Sequence, residues 1–165
     1  VGKVIDVTIS GWRVDINSAY TAMLSMKDAT AEFIVRGADL TRYFTFGDYI
    51  VTKIVNVTSQ NLVDLTMKGP GLRKLSEGMI VNVAPNKVPR IIGKQGSMVS
   101  MIKDATGCKI IVGQNGVVWL QGEPEQEFLT VTTLRKIESE SHISGLTDRI
   151  KAFLDEELKK LQAER

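Results

Sequence analysis

Cysteine and histidine occur once each in this chain of 165 residues, as Cys108 and His142. A lone cysteine forms no internal disulfide, so a reducing compartment, the cytoplasm, is the expected setting. One cysteine and one histidine do not make a four-ligand zinc site. A serine triad would have to recruit His142, which lies in a polar stretch between two helical patterns and reads instead as a solvated side chain. Cys108 follows Gly107 in an apolar run and is expected to be a small core residue. No run of 18 or more apolar residues occurs, and no transmembrane helix is expected. The chain opens on Val1 without a start methionine or a charged-then-apolar leader, so no signal peptide is visible, and a fragment with something upstream is expected.

What is present suits a soluble globular protein of one large domain or two small ones: 43% hydrophobic and 24% charged residues. The net charge of +2 is unevenly spread. Residues 1–75 carry +2, residues 76–122 carry +3 on few charges, and residues 123–165 carry −3. That asymmetry suggests an anionic partner for the front two thirds. Asp6, Asp15 and Asp64 are the candidates for a Mg²⁺-dependent nuclease site, for which two carboxylates suffice. Their spacing gives no support, and they read as solvated aspartates. No cofactor, metal or catalytic constellation is implied, and the chain is not expected to be an enzyme.

Residues 1–68 read as strands. "VGKVIDVTIS" places Val1, Ile5, Val7 and Ile9 on one alternating face, and Gly11 breaks it. "WRVDIN" sets Trp12, Val14 and Ile16 against Arg13, Asp15 and Asn17. "YTAML" is a third run, an irregular polar segment spans Ser25 to Gly47, and "DYIVTKIVNV" and "LVDLTMK" complete five strands. This pattern predicts a five-stranded OB-type β-barrel. "KGPGLRKLSEG", with three glycines and a proline, stops helix and strand alike and reads as a short, fixed linker in which Leu72 and Leu75 can pack on a neighbour.

The second half changes character. "MIVNVAP" is a strand, and Asn86 to Ile92 is a short helical piece broken by Pro89. The tetrad Gly93–Gly96 follows, then a helix with Met98, Met101, Ile102 and Ala105 at helical spacing, ended by a left-handed cap at Gly107. "CKIIV" and "VVWLQG" are strands joined by "GQNG", where Asn115-Gly116 signals a hairpin. Pro124 opens a helix to about Glu140, with Phe128, Val131, Leu134 and Ile137 inward. A last amphipathic helix runs from Leu146 to Ala163 with Ile150, Phe153, Leu154, Leu158 and Leu161 on its stripe. The fold class is α+β in two domains: the barrel over 1–69, a linker over 70–78, a type I KH domain (β-α-α-β-β-α) over 79–141, and a C-terminal helix over 142–165.

A bare G-x-x-G carries little information, and two occur. Gly113/Gly116 lies between strands and is explained by a tight turn. Gly93/Gly96 stands between two helices, where loop amides and a helix start turn a positive dipole outward. Glycines remove the Cβ atoms that would hold a sugar–phosphate chain away. Lys94 adds a charge beside a phosphate, and Ile91 and Ile92 offer an apolar floor for bases. These are the parts of a KH loop that clamps single-stranded nucleic acid. The candidate RNA-binding residues are Arg90, Ile92, Gly93, Lys94, Gln95, Gly96 and Ser97. On the barrel they are Arg13, Arg36 and Arg42, with Tyr20 and Tyr43 as further candidates.

"GKVIDVTISGWRVDINS", "VPRIIGKQGSMVSMIK" and "GQNGVVWLQG" resemble the RNA-binding cap subunit of the archaeal exosome, a ribosomal-RNA-processing family. The resemblance covers nearly the whole chain. It implies a further domain of several dozen residues before Val1 and a non-catalytic subunit, three copies to a hexameric phosphorolytic ring, that gathers single-stranded RNA and feeds its 3′ end inward. The family's barrel is of the ribosomal-protein-S-one kind, and barrels of that kind usually carry two aromatics flanking the glycine between the first two strands and a histidine on the third strand. Here Ser10 and Arg13 hold the aromatic positions and Ser25 stands near the histidine's, so electrostatic guidance replaces stacking. The alternative is a free-standing RNA-binding regulator of transcription or translation built from the same two modules.

Overall fold

A computed structural model describes residues 1–164 and divides into two compact units, Val1–Ser76 and a second beginning at Glu77. In the first, six strands form one sheet: β1 (Gly2–Val7), β2 (Gly11–Asp15), β3 (Ala22–Ser25), β4 (Tyr49–Ile50), β5 (Lys53–Val57) and β6 (Val63–Thr66). Their order is β4-β1-β2-β3-β6-β5, with β3 and β6 parallel and every other pair antiparallel. The two end strands of that order are consecutive in the chain, separated by Val51 and Thr52. One run of chain therefore serves both edges and wraps the sheet on itself.

The run expected as a single fourth strand is thus split, and the strand count is six rather than five. The cause is local. The Val51 amide donates to Arg73 O at 2.8 Å instead of to a neighbouring strand. Residues 73–75 add to the same edge, where Leu75 N–H reaches Tyr49 O at 2.8 Å and Lys74 bridges Ile50. Leu75 is buried and Leu72 packs on this unit's core, so the front of the glycine-rich stretch belongs to the first unit.

β1 turns inward on the opposite parity from the one expected. Gly2 and Val4 are buried, Ile5 and Val7 are half-buried, and Ile9 is 96% exposed in the turn to β2. A bulge between Val4 and Asp6 shifts the register against β2, and a period-2 pattern does not survive an extra residue. β2 follows expectation: Trp12 and Val14 are fully buried, Ile16 packs against the core, and Arg13 and Asp15 face solvent. The long excursion holds the short helix α1 (Met26–Ala29) and a 3-10 turn over Leu40–Arg42, and it lends Ile34, Leu40 and Phe44 to the core. The Trp12 indole N–H donates to Phe44 O at 2.8 Å, and the Phe44 ring meets it edge-on at 5.0 Å.

The second unit runs β7 (Met79–Asn82), α2 (Val88–Ile92), α3 (Ser97–Thr106), β8 (Lys109–Val112), β9 (Val117–Gln121), α4 (Pro124–Glu140) and α5 (Leu146–Ala163). Its antiparallel sheet has the order β7-β9-β8. Val118 and Leu120 of the central strand share one core with Ile91, Ile102, Leu134, Ile137, Ile150 and Leu154. Pro89 does not break α2. It stands at the helix start, where a missing N–H is tolerated. Gly107 ends α3 at φ 69°, ψ 4°, with its amide on Lys103 O. Cys108 is buried in the core. The hairpin at Gly113–Gly116 forms as expected, with Gly116 at φ 84°.

Phe128 departs from expectation at 74% exposed. α4 buries Leu129, Thr130, Thr133, Leu134 and Ile137, a face centred on the side away from Phe128. Two of those positions are threonines, which a purely apolar count overlooks. Their hydroxyls donate to Gln126 O and Leu129 O at 2.8 Å, so their burial leaves no unmet donor.

Candidate nucleic-acid interface

The tetrad is built by backbone conformations that side chains resist. α2 stops because Gly93 takes φ 76°, ψ 175°, a region open essentially to glycine alone. Its amide still closes the helix on Pro89 O at 2.9 Å. Gln95 follows at φ 54°, ψ 29° and Gly96 at φ 77°, ψ 13°, so the chain makes two left-handed steps before α3 begins at Ser97. Gly96 N–H turns back to Gly93 O at 3.2 Å, and Ser97 N–H caps Lys94 O. Among the described residues, the Lys94 and Gln95 amides have no backbone acceptor. They lie at the positive end of the α3 dipole, whose first turn holds no acidic residue.

The two glycines do different work. A Cβ on Gly93 would stand 2.7 Å from both the amide N and the Cβ of Met98, so that glycine is required by packing. A Cβ on Gly96 would meet nothing within 4 Å. Gly96 leaves open the outer surface of the loop, where an approaching chain would lie.

Arg90, Lys94, Gln95 and Ser97 are exposed, and neither Arg90 nor Lys94 is in an ion pair among the described residues. Arg90, Gly93, Lys94 and Ser97 line one groove of about 700 Å³. Ile92 is half-buried and packs on the core. Ile91 is fully buried, so it offers no floor to a base, and that expectation fails because α2 turns Ile91 toward the core. The turn from α4 into α5, residues 142–148, lines the same groove and brings His142 to it. Gly145 before a helical pattern marked the turn, and no periodic signal marked its place beside the tetrad.

The three arginines of the first unit lie apart from one another in the sequence and on separate elements. Arg13 is exposed on β2, opposite Asp6 and Met23 in the ladders. Arg36 is exposed in the excursion beside Gly37. Arg42 ends the 3-10 turn, 3.9 Å from Asp39. That aspartate also accepts from the Thr41 hydroxyl and amide, and these bonds hold its carboxyl below the usual range. Tyr20 is half exposed, whereas Tyr43 packs edge-on against Trp12 at 6.5 Å. A hollow of about 350 Å³ in this unit is lined by Ser10, Met23, Ser25, Asp28, Val55 and Asp64, and contains none of the arginines. Among the described residues no cluster of three His, Cys, Asp or Glu side chains could hold a metal ion, and no helix is long and apolar enough to cross a membrane.

Comparison with known proteins bears on this site directly. A KH-domain profile matches residues 78–126, which contain the whole tetrad and both helices beside it. The exosome complex component Rrp4 of Thermofilum pendens is 45% identical over 161 residues, covering 96% of this chain and 68% of that protein. The chain belongs to the archaeal Rrp4 family. The Rrp4 of Methanobrevibacter smithii is 47% identical over 151 residues, or 92% of this chain and 50% of that protein. The chain spans about half to two thirds of the length of the curated Rrp4 proteins of Methanobrevibacter smithii, Thermoplasma acidophilum and Picrophilus torridus. A crystal structure provisionally described as an exosome complex RNA-binding protein superposes with a TM-score of 0.84 at 36% identity, over 98% of this chain and 93% of its own. The α+β class and the KH domain are therefore those of its relatives.

Proposed function

We propose that this chain is a non-catalytic RNA-binding subunit that caps the phosphorolytic ring of the exosome and guides single-stranded RNA into it for 3′-to-5′ degradation or processing in the cytoplasm. On this reading three copies serve one ring. The first unit acts as an OB-type barrel over about 1–69, joined by a linker over 70–78 to a type I KH domain over 79–141 and a C-terminal helix over 142–165. Arg90, Ile92, Gly93, Lys94, Gln95, Gly96 and Ser97 hold one stretch of RNA. Arg13, Arg36 and Arg42 attract the backbone without stacking. The split fourth strand and the parallel β3–β6 pair support the barrel assignment.

The observation that carries the proposal is the tetrad in a chain of the Rrp4 family: two bare amides, an open Gly96 and two unpaired cations at the start of α3. So few cations make each copy a weak binder, and several copies on one ring would raise the effective concentration. Two measurements test this. Mixed with a phosphorolytic ring, the chain should co-elute in gel filtration. A monomer that never joins the ring would favour the free-standing regulator. A salt titration of binding to oligouridine should then give a shallow slope. With about −0.7 per phosphate contact on a single strand, Arg90 and Lys94 alone give about −1.4, and all five cations give about −3.5. A slope outside that window contradicts the residue set.

A further inference from the structure

The chain's one histidine stands in the groove of the tetrad. His142 belongs to the turn between α4 and α5, which forms one wall, and it lines the groove together with Arg90, Gly93, Lys94 and Ser97. Its side chain is exposed, and among the described residues it has no hydrogen-bond or ion-pair partner. The backbone that carries it is fixed. Ser141 is buried, and its hydroxyl donates to Glu138 O at 3.3 Å and accepts from Lys87 Nζ at 2.7 Å, which ties the turn to the residue before α2. The Ile143 amide closes the turn on Glu140 O at 3.0 Å. An unpartnered imidazole is thus held in a groove whose proposed ligand is an anion.

Of the nearby carboxylates, two are already engaged. Glu138 accepts from the Ala84 amide at 2.8 Å and from Arg135, and Glu140 pairs with Lys136 at 3.1 Å. Asp148, in the first turn of α5, lines the same groove and has no ion pair among the described residues. As an exposed carboxylate it competes weakly for a neighbouring charge. The cations around the turn are Lys87, Arg90 and Lys94, with Arg149 next to Asp148 in α5. Imidazoles as a class exchange their proton between about pH 5 and 8, whereas lysine and arginine side chains keep their charge there. A further cation placed among these is repelled when no ligand is bound. A phosphate laid between them reverses that balance, because an opposite charge within about 4–6 Å favours the protonated ring.

We infer that His142 is a third phosphate contact of the clamp, one that takes up a proton from solvent as RNA binds. The inference rests on the reading of the tetrad as a phosphate clamp, and it makes the strength of that clamp depend on pH.

The test is fluorescence anisotropy of the whole chain with an oligouridine that lacks terminal phosphates. Such an RNA has no titrating group between about pH 5.5 and 8, the interval in which imidazoles change charge. From about pH 8 to about pH 5.5 the affinity should rise about fivefold, the worth of one exposed charged contact. The slope of log affinity against log salt should steepen by about 0.7, the share of one phosphate. In His142→Gln both changes should vanish, with helicity and thermal midpoint close to those of the parent. His142→Arg should bind at about pH 8 as tightly as the parent does at about pH 5.5, because a guanidinium is charged at both. A parent affinity and salt slope that do not move with pH overturn the inference, as does a pH dependence that survives His142→Gln. Where Gly96→Asp still abolishes binding in such a case, the clamp stands and only the role of His142 is lost. Undiminished binding by Gly96→Asp overturns both.

Discussion

Gly96→Asp should lower the affinity for single-stranded RNA about a hundredfold while the second unit stays folded. The substituted Cβ meets nothing within 4 Å, so packing is undisturbed. The left-handed conformation costs a non-glycine residue about 1 kcal/mol, and aspartate tolerates it better than most. Binding suffers because a carboxylate then occupies the surface where a phosphate is proposed to lie, and like charges brought together cost several kcal/mol. Gly96→Asn supplies the same shape without the charge and should lose far less. Anisotropy with an oligouridine probe, beside circular dichroism of each variant, reads both effects. Parent-like affinity in Gly96→Asp would remove the clamp. Gly93 cannot serve in this experiment, since any side chain there strikes the Met98 backbone and a loss of binding would report misfolding.

The second large effect concerns stability. Trp12→Ala should cost the first unit about 5 kcal/mol. Removing a buried tryptophan typically costs 3–5 kcal/mol through lost transfer energy and the cavity left behind. Here the Phe44 carbonyl also loses its donor in the core, which adds about 1 kcal/mol or more. Most small domains have only about 5–15 kcal/mol in total, so this one change removes a third or more of the stability of the strand-rich unit. Trp12→Phe keeps a ring against Tyr43 and Phe44 and loses mainly the hydrogen bond, so about 2 kcal/mol is expected. Urea unfolding followed by the strand signal in circular dichroism measures both. A loss below about 2 kcal/mol for the alanine variant would show that Trp12 does not organise this core.

These two sites were legible in the sequence to different degrees. The tetrad was visible because glycine spacing, a preceding apolar helix and a following one occur together within a dozen residues. Gly107, Pro124 and Asn115-Gly116 were likewise local signals, and each marks the turn or helix end it predicted. Features set by distant partners were not readable. The bulge in β1 that turns Val4 inward is fixed by pairing with β2, and the break at Val51 by the Arg73 carbonyl. Phe128 looked like core because the two buried threonines of α4 were counted as polar. The wall at 142–148 belongs to the same class: only the folded second unit brings the α4–α5 turn beside Gly93.

The chain's one thiol has a use that follows from its seat. Cys108 is buried, and a Cβ on Gly122 would come within 2.6 Å of its sulfur, so no reagent fits between them in the native state. A thiol-reactive dye will therefore label the protein only as fast as the Cys108 region opens, and the first unit, which has no cysteine, will stay silent. Labelling with and without bound RNA would turn that sulfur into a clock for how firmly a ligand holds the second unit shut.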